Sequence, residues 1–158
     1  MPPFDPTAHR VVPQRGFDEL VVGEKFVLPS RTITEANFAA FQTVSCDNHP
    51  IHYDIEYCRA HGHGNLLAHG LQVLSHTAAG AGLFPHAIGD ALIGFVEVQA
   101  KFLKAVYAGD TLYPVLTVTE LKPQRTTGVV TMAATVHNQK GEMVLEGRHV
   151  YLLRMSQA

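Results

Sequence analysis

At 158 residues, with 46% hydrophobic and 16% charged residues, the chain has the composition of one ordinary globular domain with a sizeable core. A formal net charge of −2, with scattered lysines and arginines, gives no electrostatic reason to expect nucleic acid or a membrane surface as a partner. No apolar stretch reaches the length of a membrane span, no signal peptide is visible, and Cys46 and Cys58 do not suggest a disulfide framework. We therefore expect a single domain over residues 1–158, in a reducing cytoplasm.

The predicted elements begin after a proline-rich N-terminal arm over residues 1–15. Residues 22–28 predict a turn that leads into a short strand. A helix follows, with Thr34 as its N-cap, and it ends near Val44. After a loop at residues 47–52, a second short helix is predicted from residue 54 to about residue 61.

Residues 70–83 predict a third helix, whose second half consists almost entirely of alanine and glycine. Its predicted buried face carries Leu71, Leu74, Ala78 and Ala81. Small side chains let neighbouring backbones approach closely, so we expect this helix to be surrounded by other elements.

Period-two alternation and intervening turns predict four strands in the C-terminal half. The predicted strands cover residues 96–102, 111–121, 126–137 and 143–154, with turns at 109–110 and 138–141, a bulge at 102–103, and Pro114 marking an edge or an irregular strand. Helices followed by an antiparallel meander predict an α+β fold. The simplest way to bury the apolar helix is a curved antiparallel sheet wrapped around it.

The most informative segment is residues 45–52, which read Ser-Cys-Asp-Asn-His-Pro-Ile-His. It places an acid, Asp47, five positions before an imidazole, His52. The histidine is a natural general base because its ordinary pKa lies near neutrality. The aspartate, if it is buried and faces His52, can orient a water molecule and transfer a proton.

A second segment, Ala68-His69-Gly70-Leu71, opens the predicted small-residue helix. The N–H groups of a first helical turn have no partner within the helix, so that of Gly70 can donate to a developing oxyanion. Together the two segments predict the addition of water to, or its removal from, a carbonyl-activated carbon.

Less specific interpretations of the same residues stay open. Asp47 could form only the local hydrogen bonds of an Asx turn, and His52 could be a structural histidine. His69 fits a cap or loop anchor better than a catalytic group. Gly70 could serve packing alone, which is compatible with an oxyanion role.

Histidines are frequent between residues 49 and 76, so a metal site is a rival hypothesis. However, no acid follows His61-Gly62-His63 closely, and no cysteine and histidine pair has the spacing of a zinc site. We therefore expect no metal.

The two segments resemble the MaoC-like, or (R)-specific enoyl-CoA hydratase, branch of the hotdog-fold proteins. The family motif runs roughly Ser/Thr-Gly-Asp-x-Asn-Pro-x-His, followed later by a small or apolar residue and His-Gly, and Ala108-Gly109-Asp110-Thr111-Leu112 matches a further strand turn of the family. Three positions depart from the pattern, and one of them is Ala78, where the (R)-specific hydratases often carry a serine. Cys46 stands where glycine is usual, which predicts that the backbone there does not need a positive φ, and His49 stands where asparagine is usual.

The resemblance covers about residues 22–153 and implies a hotdog fold built as a homodimer or a larger homo-oligomer. It implies (R)-specific hydration of enoyl-CoA thioesters, or dehydration of 3-hydroxyacyl-CoA, without a cofactor. It implies that Asp47 and His52 are catalytic and that Gly70, His69 and Leu71 bind the oxyanion or the substrate. Two alternatives remain open, a hotdog acyl-CoA thioesterase and a non-catalytic acyl-thioester-binding relative.

Overall fold

The computed structural model describes residues 3–156, so the first two residues of the predicted arm lie outside the described range. The helices are α1 (Glu35–Ser45), α2 (Ile55–Ala60), α3 (Gly70–Ser75) and α4 (Phe84–Ile88). The strands are β1 (Lys25–Val27), β2 (Arg31–Thr32), β3 (Leu92–Phe102), β4 (Thr111–Pro123), β5 (Thr127–Asn138) and β6 (Met143–Arg154). No helix within residues 3–156 is both long and apolar enough to cross a membrane.

The strands form one antiparallel sheet in the order β1-β4-β5-β6-β3, and β2 also pairs with β4. The alternating pattern of β4, β5 and β6 places one set of side chains on the core face, and these strands lie where the sequence predicts them. The predicted α+β class and antiparallel sheet are therefore confirmed.

Two details of the strand prediction are wrong. Of the two alternatives for Pro114, an edge strand is wrong, because β4 pairs with β5 on one side and with β1 and β2 on the other, whereas a local irregularity of the pairing is present. The missing N–H of Pro114 falls in the gap between β1, which ends at Val27, and β2, which begins at Arg31. The irregularities of β3 lie near Gly94 and Phe95 rather than at residues 102–103.

The predicted continuous helix over residues 70–83 is also wrong. Helix α3 ends at Ser75, a short 3-10 turn follows at Ala79–Ala81, and α4 begins at Phe84. Glycine disfavours helix interiors, and Gly80 and Gly82 lie within this break, while Pro85 occupies a position that favours the start of a new helix. The buried face also differs, because Leu71 is 65% exposed whereas Val73 is buried.

Buried hydrogen bonds hold the chain where α3 ends. The Thr77 hydroxyl donates to the Leu74 carbonyl and lies 3.0 Å from Nε2 of His149 on β6. Nδ1 of His149 lies 3.1 Å from the Tyr151 hydroxyl. Burial lowers the pKa of His149, so the ring is neutral and can both donate and accept in this chain of hydrogen bonds. The break in the helix is thereby attached to the sheet.

The core lies on one face of the sheet, in two clusters. The first packs α4 and the N-terminal segment against the sheet, and includes Phe17, Phe26, Phe84, Ile88, Leu116, Met132 and Leu153. The second packs α1 and α3 against it, and includes Ile33, Phe38, Val73, Leu112, Val136 and Leu145. The sheet thus covers a row of short helices, and α3 is held with its first residue near the end of α1.

Strand β3 is the edge of the sheet and carries apolar side chains that are not covered. Among the residues that the structure describes, it pairs only with β6, and Ile93, Phe95, Val96 and Val98 are 43%, 52%, 59% and 42% exposed. An exposed apolar edge strand is a surface on which another strand can pair.

Candidate functional site

The loop that carries the acid begins with a left-handed residue. Cys46 caps the C-terminus of α1 at φ 56°, and its N–H donates to the Gln42 carbonyl. The sequence-based expectation that the backbone here does not need a positive φ is therefore wrong. The conformation turns the chain sharply at the end of α1, which brings Asp47 back toward the other residues of the site.

Asp47 is held by the loop that follows it. One carboxylate oxygen, Oδ1, accepts a hydrogen bond from the His49 N–H at 3.1 Å, and Pro50–His52 form a 3-10 turn. The other oxygen, Oδ2, faces His52, with Nε2 of that ring 3.8 Å away. The aspartate side chain is 49% exposed, so it faces His52 as predicted but is not buried.

His52 is buried and its ring is fixed by the backbone. Nδ1 lies 2.6 Å from the Leu67 carbonyl oxygen, which can only accept, so Nδ1 carries the proton. Nε2 then presents its lone pair toward Asp47. A backbone carbonyl therefore selects the ring tautomer in which the nitrogen facing the carboxylate is free to accept a proton.

His69 is part of the same group of side chains. Its ring stacks on that of His52 with centroids 3.6 Å apart, and its Nε2 lies 3.9 Å from Oδ2 of Asp47. The Tyr53 hydroxyl is 2.9 Å from Nε2, and Oε1 of Gln72 is 3.3 Å from Nδ1. The ring is 4% exposed and makes no hydrogen bond as an N-cap of α3, so the side chain is not the cap that the sequence suggests.

The three ligand-type groups converge closely enough to hold a metal ion. Atoms of Asp47, His52 and His69 lie within 4.8 Å of one another, and they form the one such set within residues 3–156. Two imidazoles and a carboxylate are a donor set that suits several divalent metals. The expectation that no metal is required stays a prediction.

Both members of the acid and imidazole pair are in their basic forms near neutral pH. The His49 N–H holds the pKa of Asp47 below its usual value, and nearby histidines act in the same direction against partial desolvation. Burial lowers the pKa of His52 and outweighs the opposing effect of the Leu67 carbonyl. A water between Oδ2 and Nε2 can therefore donate one hydrogen to each, which leaves its oxygen lone pairs facing outward.

Gly70 lies directly after His69 and begins α3. Its N–H forms no hydrogen bond within the described part of the chain. A Cβ built on this residue would lie 3.0 Å from the ring of Phe102, so any side chain here would displace that ring. Because α3 has only six residues, the N–H itself, rather than a helix dipole, is what the position offers.

A cleft of about 350 Å³ opens beside this glycine. Its walls are mainly apolar, with Ala68, Val73, Phe102 and Val144 among them, and Lys104, whose ammonium pairs with Glu142 at 2.7 Å, also lines it. The cleft can admit an extended molecule whose carbonyl oxygen reaches the Gly70 N–H.

The structure brings together Asp47, His52 and His69, and places Gly70 beside them. Leu71, the remaining predicted site residue, is exposed and makes none of the hydrogen bonds, ion pairs or ring contacts of the site within the described residues. Sequence analysis missed Tyr53 and Gln72. The signal for Gln72 was its position three residues after His69, which puts both side chains on one helical face; Tyr53 gave no comparable signal.

A curated relative shares most of this chain. The (R)-specific enoyl-CoA hydratase of Rhodospirillum rubrum is 28% identical over 135 residues, which cover 83% of this chain and 86% of the relative.

Solved structures resemble the fold closely. The monoamine oxidase regulatory protein of Archaeoglobus fulgidus gives a TM-score of 0.86 at 28% identity, covering 94% of this chain and 100% of that one. The unliganded (R)-hydratase of Pseudomonas aeruginosa gives a TM-score of 0.75 at 27% identity, covering 91% of this chain and 88% of that one. A Mycobacterium tuberculosis protein with a double hotdog fold gives a TM-score of 0.75 at 24% identity, covering 90% of this chain and 45% of that one. This likeness concerns the fold alone. The present fold is thus a hotdog fold.

The family comparison agrees with the fold. The family model described as "MaoC like domain" matches residues 19–140, which include Asp47, His52 and the His69-Gly70 pair. The chain therefore belongs to the MaoC-like domain family.

Proposed function

We propose that the protein is an (R)-specific hydratase of 2-enoyl thioesters, or a dehydratase of the corresponding 3-hydroxyacyl thioesters. The observation that carries this proposal is the 3.8 Å approach of the Asp47 carboxylate to Nε2 of His52, beside the unpartnered N–H of Gly70. Hydration of a conjugated thioester needs a water-activating base, a proton donor for C2 and a hydrogen-bond donor for the thioester oxygen. These groups supply all three.

In the proposed reaction, one water donates hydrogen bonds to Oδ2 of Asp47 and to Nε2 of His52. As its oxygen attacks C3, one of these two groups takes its proton. Electron density moves from the C2–C3 double bond to the thioester oxygen, which the Gly70 N–H stabilises. The group that took the proton then returns it to C2, so no external acid is required.

Because water and proton come from the same pair of groups, both add to the same face of the double bond. The expected addition is therefore syn. The (R) configuration at C3 is taken from the activity for which the Rhodospirillum rubrum relative is named. Acyl-CoA is the expected form of the thioester, and the cleft at Gly70 and Lys104 is where the thiol portion would lie.

Incubation with a trans-2-enoyl-CoA tests the proposal directly. We expect loss of the absorbance of the conjugated double bond without release of free thiol, and a product of (R) configuration on chiral analysis. Thiol release would indicate a thioesterase instead. Binding without any turnover would indicate a non-catalytic acyl-thioester-binding protein, and both results would contradict the proposal.

The pH profile of kcat/KM should have an acid limb below pH 6.5, the ordinary pKa of the histidine side chain. Burial lowers the pKa of His52, so the neutral base is fully present above that value and is lost as the pH falls through its lowered pKa. Asp47, whose pKa is lowered below 3.8, loses its charge only at a still lower pH. Initial rates in overlapping buffers measure the limb. A midpoint above pH 6.5 would show that another group controls the activity.

We also propose that the protein is a homodimer formed through β3. The apolar side chains of this edge strand are covered if β3 of a second copy pairs with it, and such a contact uses the same surface on both copies. Light scattering at micromolar concentration should give twice the mass of the chain. Val98→Lys should shift the mass toward that of a monomer, because it places a charge at the contact. Val22→Lys, at a valine that is 57% exposed outside β3, is the matched control. A monomeric wild type would refute the dimer.

A further inference from the structure

A second cleft lies on the other side of the site, between α1 and α3. This α1–α3 cleft has a volume of about 380 Å³ and also reaches the segment that leads into β2. Its polar lining consists of Arg31, Asn37, Gln72, Ser75 and His76, and no acidic residue lines it. Pro29, two alanines, Phe41 and Val44 complete its walls. It is therefore an apolar cleft with several hydrogen-bond donors and one fixed positive charge.

Gln72 connects this cleft to the catalytic centre. Its side-chain oxygen accepts from His69, which stacks on His52. Its amide nitrogen has no hydrogen-bond partner among the described residues, although the residue is only 3% exposed. Buried amide donors in folded proteins are normally satisfied. The position of Gln72 in the lining indicates that an acceptor on a bound molecule can fill this role.

Arg31 supplies the charge. Within residues 3–156 its guanidinium forms no ion pair or hydrogen bond, unlike Arg15, Arg59 and Arg148, which pair with glutamates. Burial lowers the pKa of the neighbouring His76, and the charge of Arg31 lowers it further. The arginine thus stands in a cleft without any carboxylate, and its planar donors match a carboxylate well.

The two clefts meet α3 at different residues. Gly70 at the start of α3 faces one cleft, and Gln72, two residues later, lines the other. A thioester whose carbonyl is bound by Gly70, with C2 and C3 at Asp47 and His52, therefore has the α1–α3 cleft available for the rest of its acyl chain.

We propose that the α1–α3 cleft binds the far end of the acyl chain and selects 2-enoyl thioesters that end in a carboxylate, which Arg31 and the Gln72 amide bind. This inference rests on the proposed hydratase function. The CoA phosphates are a second possible source of negative charge for Arg31, and the choice of substrates below separates the two sources.

The test compares the N-acetylcysteamine thioesters of trans-2-hexenoic acid and trans-2-hexenedioic acid, which lack phosphates and differ at the chain end. The readout is the ratio of kcat/KM for the carboxylated thioester to that for the uncharged one. We expect a wild-type ratio of at least about ten, a roughly tenfold decrease in Arg31→Gln, and partial recovery in Arg31→Lys. Arg125→Gln, at an arginine outside the cleft, should leave the ratio unchanged.

Three results would overturn the selection of a carboxylate. The first is a wild-type ratio of one or less, and the second is a ratio that Arg31→Gln does not change. The third is an effect of Arg31→Gln that is equal for the CoA thioesters of both acids and absent with their N-acetylcysteamine thioesters. The last result would assign Arg31 to the CoA phosphates.

Failure of the proposed hydratase function is distinguishable from failure of the cleft proposal. If the wild type hydrates the hexenoyl thioester without preference, only the cleft proposal fails. If it hydrates neither, calorimetric binding of the saturated hexanoyl and adipoyl N-acetylcysteamine thioesters still measures the preference of the cleft. Tighter binding of the adipoyl compound, lost in Arg31→Gln, supports the proposal, and equal binding contradicts it.

Discussion

Asp47→Asn and His52→Gln are each expected to lower kcat for enoyl thioester hydration by at least about a hundredfold. Each substitution keeps the approximate shape of the side chain but removes a basic atom that faces the proposed water. Asp47 lies in a loop with a half-exposed carboxylate, and His52 anchors to the Leu67 carbonyl. Rates of double-bond loss at saturating substrate, with circular dichroism to verify folding, measure the effect.

The double variant distinguishes a pair that acts as one unit from two independent contributions. If both side chains hold and deprotonate one water, the combined loss should be far smaller than the product of the single losses. The controls are His61→Gln and Asp90→Asn, which change an exposed imidazole and an exposed carboxylate away from the site. Substantial turnover by the double variant would refute the mechanism.

The largest expected loss of stability comes from Phe84→Ala, which should lower the free energy of unfolding by about 3–5 kcal/mol. Phe84 is 1% exposed, and its ring centroid lies 5.0 Å from those of both Phe26 and Tyr151. Truncation therefore leaves a cavity between α4 and the sheet and removes two aromatic contacts.

Urea unfolding of wild type and variant at equal protein concentration measures this difference. Phe4→Ala, at a phenylalanine that is 78% exposed, is the matched control and should change the free energy of unfolding very little. A loss in Phe84→Ala no larger than that in the control would show that α4 does not contribute to the stable core.

The sequence by itself determined the features that depend on neighbouring residues. Alternation along β4, β5 and β6 reports a sheet with one buried face, and the structure has these strands within two residues of the predicted limits. Thr34 is the N-cap residue of α1, and the spacing from Asp47 to His52 is short enough for one loop to bring the two side chains together. Local patterns carry this information because turns, caps and strand faces are set within a few residues.

Only the tertiary structure decided the features that depend on distant partners. The expected helix over residues 70–83 breaks after Ser75, although its small residues favour packing. Thr77 bonds to His149 on β6, and Pro85 lies in the first turn of a new helix that begins at Phe84. Pro114 is tolerated inside the sheet because β1 and β2 leave a gap beside it.

The residues of the site also divide into those that the local sequence predicts and those that contacts between distant segments decide. The sequence predicts that His69 is a cap or a loop anchor, yet it contacts Tyr53 and stacks on His52, which lie 16 and 17 residues earlier. No local periodicity relates these positions, since folding of the loop against α3 creates the contacts. The acid and imidazole pair could be predicted because its chemistry is local, whereas the side chains that orient it were decided by long-range packing.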